Sequence, residues 1–243
     1  KTTISNKVTT CDTYTYSFNT YQNYANADLP KTHSYLDSED NWCTEDFTYW
    51  LGTNKIKKYV AIKNNKVIDA YQLTYDDLGR VIHKEVALLS SDSATSISQI
   101  QWDPLETYTY YSEINKIQEI FNHRTNITTT YLWSYGGAYP IAEITDATKE
   151  EVQSALDVDI KDIIESQEPN ISEIDKLRGK LTTAQIKTMT YAPLIGITSY
   201  TDAKGYTQYY EYDDFGHIRE IYEKVNNNKH IIKSFEYQLQ NQK

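Results

Sequence analysis

Two adjacent carboxylate pairs, Asp76-Asp77 and Asp213-Asp214, come nearest to a catalytic pattern in this chain. Glycoside hydrolysis sets two carboxyls about 5 to 9 Å apart across a cleft, in environments that keep one protonated and the other ionised. Neighbouring residues of a tight turn point to different sides, so these pairs read first as turn formers. The histidines His33, His83, His123, His217 and His230 are scattered, without a His-x-x-x-His spacing or a cysteine partner, and no metal site is expected. There is no Gly-x-Ser-x-Gly elbow, phosphate-binding loop or dinucleotide glycine fingerprint, and Gly136-Gly137 sits between strand patterns where a turn explains it. The expectation is a protein that is not an enzyme and takes no cofactor, with a carboxylate glycosidase as the least favoured alternative.

Aromatic side chains offer a second kind of chemistry. The chain has 23 Tyr against 5 Phe and 4 Trp, and Tyr108, Tyr110, Tyr131, Trp133, Tyr135 and Tyr139 fall close together in sequence. Exposed coplanar rings stack on the C–H faces of sugars, which makes these six the candidate binding residues. The competing reading is that alternate tyrosines pack against cross-strand neighbours. Trp42 and Trp50, near Cys43, are candidates for the core of a small N-terminal subdomain. Cys11 and Cys43 either close a disulfide loop worth about 3 kcal/mol in the chain-entropy picture or remain two buried thiols.

The charge balance narrows the partners. A net charge of -10, with no block of Lys or Arg to relieve it, repels phosphate backbones and anionic membrane surfaces, so no nucleic-acid partner is expected. No apolar run approaches the ~18 residues of a membrane span; stretches such as 86–89 are short. The polar opening at Lys1, without a methionine, is what an exported chain shows after removal of a signal peptide, and export to the periplasm, outer surface or medium is the expectation.

The elements that must position these residues are hairpins. Residues 71–85 read Y-Q-L-T-Y-D-D-L-G-R-V-I-H-K-E and residues 209–223 read Y-Y-E-Y-D-D-F-G-H-I-R-E-I-Y-E. Each is an alternating strand ending in Tyr, a turn opened by Asp76 or Asp213 and closed by Gly79 or Gly216, and a second alternating strand. A weaker copy over 108–121 has Ser112 for the Asp and Asn115 for the Gly, and Asn tolerates the left-handed backbone. Further turns are signalled at Asn64-Asn65, at 202–205 and at 226–228. About ten to fourteen strands are predicted, mostly with antiparallel neighbours.

Between 148 and 181 the apolar spacing becomes helical. Capping boxes at Thr148/Glu151 and Asn170/Glu173 predict short helices near 149–156, 160–166 and 171–180. The fold class predicted is therefore mainly β, a twisted antiparallel sheet of Tyr-Asp hairpin repeats with a small α-helical insertion. Its segments are 1–60, unassigned and β-rich; 61–147, repeat hairpins; 148–182, the helical insertion; and 183–243, C-terminal repeat hairpins, together one continuous domain.

The paired Y-D-D-L-G-R and Y-D-D-F-G-H hairpins resemble the Tyr-Asp (YD) repeats of the Rhs family. The succession Y-L-W-S-Y-G-G-A-Y-P-I-A-E-I over 131–144, the helical insert, and T-Y-A-P-L-I-G-I-T-S-Y-T-D-A-K-G-Y from Thr190 is similar to the C-terminal repeat portion of Rhs-like proteins of Bacteroidetes. The resemblance spans about residues 70 to 240 and implies an exported or surface-associated repeat protein, here without the toxin domain of the large members. The functional expectation is a non-catalytic scaffold or macromolecular-interaction module with a protein or glycan partner; the alternative is a carbohydrate-binding module using surface Tyr and Trp.

Overall fold

The computed structural model describes residues 13–16, 29–50, 53–89 and 97–237. The chain divides into two compact units, Lys1–Thr107 and Tyr108–Lys243. The first contains β1 (Thr13–Tyr16), β2 (Pro30–Leu36), β3 (Trp42–Tyr49), β4 (Ile56–Lys63), β5 (Lys66–Tyr75), β6 (Val81–Ala87) and the start of β7 (Trp102–Tyr111). The second contains β8 (Lys116–Asn122), β9 (Ile127–Ser134), β10 (Tyr139–Thr145), β11 (Gln185–Ala192), β12 (Gly196–Thr201), β13 (Thr207–Tyr212), β14 (Ile218–Val225) and β15 (Asn228–Ser234). Within each unit every strand pairs antiparallel with the next in sequence. The protein is mainly β, built of antiparallel hairpins with a small helical insertion, as the repeats predict.

The hairpins close by the expected turn chemistry and by one unforeseen device. Asn64 and Asn65 both take the left-handed backbone, with φ of 49° and 62°, as do Asn226 and Asn227; a two-residue turn of this type matches the strand twist. Asn115 (φ 53°) stands in for the glycine of the weak copy. At the opposite end of a hairpin, a ring donor at the end of one strand reaches a backbone carbonyl at the start of the strand before it. Tyr49 donates to Pro30 O at 2.9 Å, Tyr75 to Ile56 O at 2.6 Å, Tyr212 to Ile197 O at 2.8 Å and Tyr237 to Ile218 O at 3.1 Å. Trp133 does the same with its indole N–H, at 2.8 Å from Ile117 O. A phenol is the side chain whose ring packs on a half-buried face while its hydroxyl reaches across a neighbouring strand. Burial raises the pKa of Tyr49, Tyr75 and Tyr212, so these donors keep their protons.

The main core lies in the second unit, under the helices α1 (Lys149–Ala155), α2 (Ile160–Glu165), α3 (Ile171–Asp175) and α4 (Leu177–Lys180). None is long enough to persist alone in water. Their apolar stripe, Val152, Ile160, Ile163, Ile164, Ile174 and Leu177, packs with Leu132, Ile141, Ile144 and Ile186 of β9, β10 and β11. Each fully buried aliphatic side chain contributes about 1.5–3 kcal/mol, roughly twice the net worth of a single hydrogen bond, so burial is what makes these helices. The first unit has a smaller core around Val60, Val67, Ala70 and Ile100.

Buried hydroxyls on the sheet satisfy the polar ends of the insertion. Ser134 Oγ donates to Ile163 O at 2.7 Å and Ser166 O at 3.0 Å, and Thr130 Oγ1 donates to Ala147 O at 2.8 Å. The capping box at Thr148 and Glu151 is present. The one expected at Asn170 is not: its side chain makes no cap, and the Glu173 carboxylate takes the Lys176 ammonium at 2.5 Å instead. Asp159, unremarked in the sequence, caps α2 by accepting from Lys161 N. Cys43 is buried in β3, whereas Cys11 and with it the disulfide question lie outside the described residues. Trp42 is 54% exposed, so it does not join an N-terminal core, while Trp50 stacks on Tyr75 with ring centres 5.3 Å apart.

Removing the phenol hydroxyl tests the ring staples. Tyr75→Phe and Tyr212→Phe are each expected to lower the unfolding free energy by about 0.5–1.5 kcal/mol in urea titrations. Tyr206→Phe, at an exposed ring, is expected to leave the midpoint unchanged.

Candidate functional site

The carboxylates of the turns are saturated by donors. Asp76 Oδ1 accepts from the backbone N–H of Leu78 and Arg80, at 3.0 and 2.8 Å, and Oδ2 from Arg80 Nε at 2.7 Å. Asp213 Oδ1 accepts from Phe215 N and His217 N, both at 2.9 Å, with His217 Nδ1 3.1 Å from Oδ2. The same five-residue pattern recurs at Asp202, which accepts from Lys204 N and Tyr206 N. It recurs again at Asp37, which accepts from Glu39 N and Asn41 N. In that last copy Asp40 replaces the glycine, with φ of 60°; its signal in the sequence was an Asp three residues before a residue that tolerates the left-handed region.

Glycine at the turn is needed for different reasons in different copies. Gly79 (φ 73°) carries a carbonyl that accepts from Lys55 Nζ, and an added Cβ would sit 2.8 Å from the Trp50 ring. Gly216 (φ 79°) faces open space, so only its backbone conformation demands glycine.

These hydrogen bonds set the electrostatics. The Asp76 carboxyl is held below the usual range chiefly by the Arg80 backbone N–H, that of Asp213 by the His217 backbone N–H, and that of Asp37 by the Lys63 ammonium. A general acid needs the opposite shift. Among the described residues no group of three or more His, Cys, Asp or Glu is placed to hold a metal ion.

The six aromatic candidates are all half-buried. Tyr135 and Tyr139 meet edge to face, 5.4 Å apart, and both contact Tyr191, which stacks on Tyr139 at 4.7 Å. Their hydroxyls serve the backbone of the β11–β12 hairpin: Tyr135 donates to Tyr191 O at 3.2 Å, and Leu194 N donates to Tyr139 Oη at 2.9 Å. Trp133 lies under the Lys116 ammonium at 5.2 Å, and the carbonyl of Tyr131 accepts from Tyr111. Tyr108 and Tyr110 lie on β7.

The aromatics that do face solvent lie elsewhere. Phe215, 77% exposed, and Tyr237, 52% exposed, join His217, Phe235 and Arg219 around a concavity of about 250 Å³. Phe235 and Tyr237 are nearly parallel, at 13° and 6.5 Å between centres, and His217 lies 4.8 Å from Tyr237. A larger cleft of about 420 Å³ lies where α1 and α2 face the β7–β8 and β9–β10 turns. Gly137, in the second of these turns (φ 81°), sits so close to Ile114 that a Cβ there would be 2.7 Å from its Cγ2. A third feature is β15, every residue of which is exposed; its one described partner strand is β14.

Among the described residues these features define a hairpin-repeat β protein with an aromatic concavity, an insertion cleft and an exposed strand, β15, paired on one side. No sequence family and no curated protein matches the chain. Among solved structures, it is similar to "Crystal Structure of TcdB2-TccC3-Cdc42" at 13% identity and a TM-score of 0.40, over 82% of this chain and 11% of that one. "Crystal Structure of TcdB2-TccC3-TEV" matches at 12% identity and a TM-score of 0.39, over 86% of this chain and 12% of that one. The chain thus spans about a tenth of the length of these structures.

The turn carboxylates predict an acid-sensitive fold. Because Asp37, Asp76 and Asp213 have lower pKa values folded than unfolded, protonation favours the unfolded chain. Their stabilisation is full above the unfolded value near pH ~3.9 and is lost as pH falls through the folded values. Urea midpoints are expected to drop on acidification below about pH 4, and Asp76→Asn with Asp213→Asn is expected to flatten that drop.

Proposed function

We propose that this protein is a non-catalytic repeat scaffold that engages another macromolecule by adding its strand to the open edge of β15. The observation that carries the reading is the edge itself. Its residues N-K-H-I-I-K-S include two lysines and a histidine and no acid, on a chain of net charge -10. Ile231 and Ile232 are 56% and 52% exposed. Tyr237, just beyond, holds the same ring-to-carbonyl bond as the other hairpins, so the edge keeps the repeat's register. An exposed strand edge templates pairing with another chain, and main-chain bonds supply the affinity. The partner strand that fits is alternating and carries glutamates, as β14 itself does. The resemblance of the hairpin motifs to the C-terminal repeats of Rhs-like Bacteroidetes proteins supports an exported or surface-associated setting.

A synthetic peptide with the sequence of β14, I-R-E-I-Y-E-K-V, serves as the probe. Saturable binding to the full chain is expected, weakened at least tenfold by whichever of Ile231→Pro and Ile232→Pro removes an outward N–H. Absence of binding, or binding indifferent to both substitutions, overturns the reading.

The exposed rings of Phe215 and Tyr237, with Phe235 nearly parallel to Tyr237, favour a second reading, carbohydrate binding at the 250 Å³ concavity. A glycan array then gives binding that Phe215→Ala and Tyr237→Ala abolish and Trp133→Ala does not; a blank array sinks this reading alone.

A further inference from the structure

The 420 Å³ cleft in the second unit is independent of the β15 edge and of the aromatic concavity. Its size falls in the range of small-molecule sites. The walls are apolar: the Tyr111 ring, Ile114, Ile160 and Ile164. Tyr111 is buried, and its hydroxyl is spent on Tyr131 O at 3.1 Å, so it presents ring rather than polar oxygen.

The polar groups at the rim are committed to one another, with one exception. Asp159 Oδ1 accepts from Lys161 N at 2.8 Å, and Lys161 Nζ lies 3.9 Å from Glu165. Gln153 accepts from Ile160 N and donates to Val158 O. The Glu113 carboxyl is held low first by its own backbone N–H and by Ser112, with Lys149 and Lys161 adding smaller shares from a distance.

Lys149 differs. Its backbone N–H is anchored on Glu119 Oε1 at 2.6 Å, while its ammonium overhangs the cleft 6.0 Å from the centre of the Tyr111 ring. Among the described residues no carboxylate lies within 4.0 Å of that ammonium. A cation held beside an apolar, half-enclosed cleft recognises an anion that carries an apolar tail. A cationic amphiphile gains no such contact from Lys149, and a neutral one gains only the burial of its chain.

We infer that this cleft binds an aliphatic monocarboxylate, its chain along Ile114, Ile160 and Ile164 and its carboxylate on Lys149. The probe is sodium decanoate, kept below its micelle concentration and titrated calorimetrically into the full chain, with decanol and decyltrimethylammonium as comparisons. Saturable decanoate binding is expected, at least tenfold tighter than either comparison. Lys149→Met, which keeps the stem and drops the charge, is expected to weaken it at least tenfold. Lys149→Arg is expected to retain it, and Glu113→Gln to tighten it.

Methyl NMR of the unmutated protein gives a second readout, with decanoate shifting the resonances of Ile114, Ile160 and Ile164. Absence of saturable binding, equal binding of decanol, affinity unchanged in Lys149→Met, or shifts confined to other isoleucines each overturns the inference.

Discussion

A ring donor reaching back to a carbonyl at the start of the preceding strand is the contact on which the hairpin register depends. Turn aspartates in β2–β3 and β12–β13, and turn asparagines in the other three stapled hairpins, fix one end while the ring staples fix the other, so a strand cannot slip by a residue without losing both. A slip would also turn every alternating side chain to the wrong face, which makes the pair of constraints stricter than either alone. Each staple is worth only about 1 kcal/mol. Five of them, from Tyr49, Tyr75, Trp133, Tyr212 and Tyr237, specify pairing more than they supply stability. Stability comes mainly from the insertion core, where aliphatic side chains from four short helices meet β9, β10 and β11.

Much of this was legible in the residues. The Tyr-Asp-Asp-Leu/Phe-Gly runs carry their turn chemistry locally, and the helical period of 148–181 is long enough to stand out against alternation. What was hidden depends on register. That Tyr75 reaches Ile56, 19 residues away, follows only once β4 and β5 are paired. The turn at Asp37 went unseen because Asp40 occupies the glycine's place, and at Asn170 the side chain makes no cap while the Glu173 carboxylate pairs with Lys176.

The aromatic surface shows the limit most plainly. Sequence proximity grouped Tyr108, Tyr110, Tyr131, Trp133, Tyr135 and Tyr139. Trp133, Tyr135 and Tyr139 turn their polar atoms to backbone groups and stay half-buried, which sequence proximity does not show. Phe215 and Tyr237, two of the exposed rings, lie at the β13–β14 turn and just past β15, where alternation gives no cue. The insertion cleft was likewise illegible, since its walls come from two helices and two turns far apart in the chain.

The insertion enters at the end of the β10–β11 hairpin, where Thr145 still pairs with Gln185 although roughly 40 residues intervene. Replacing a two-residue turn by so long an excursion costs only about 2.6 kcal/mol of closure entropy, at ~0.6 per doubling of length. Two buried isoleucines suffice to offset it. In evolutionary terms a hairpin end is therefore a port: a lineage can splice a compact segment there, acquire a new concave surface between the segment and neighbouring turns, and leave the inherited strand order untouched. The graft is not free of the frame, however: Leu132, Ile141, Ile144 and Ile186 serve both, so a change at any of them is felt by the inherited strands and the spliced segment together.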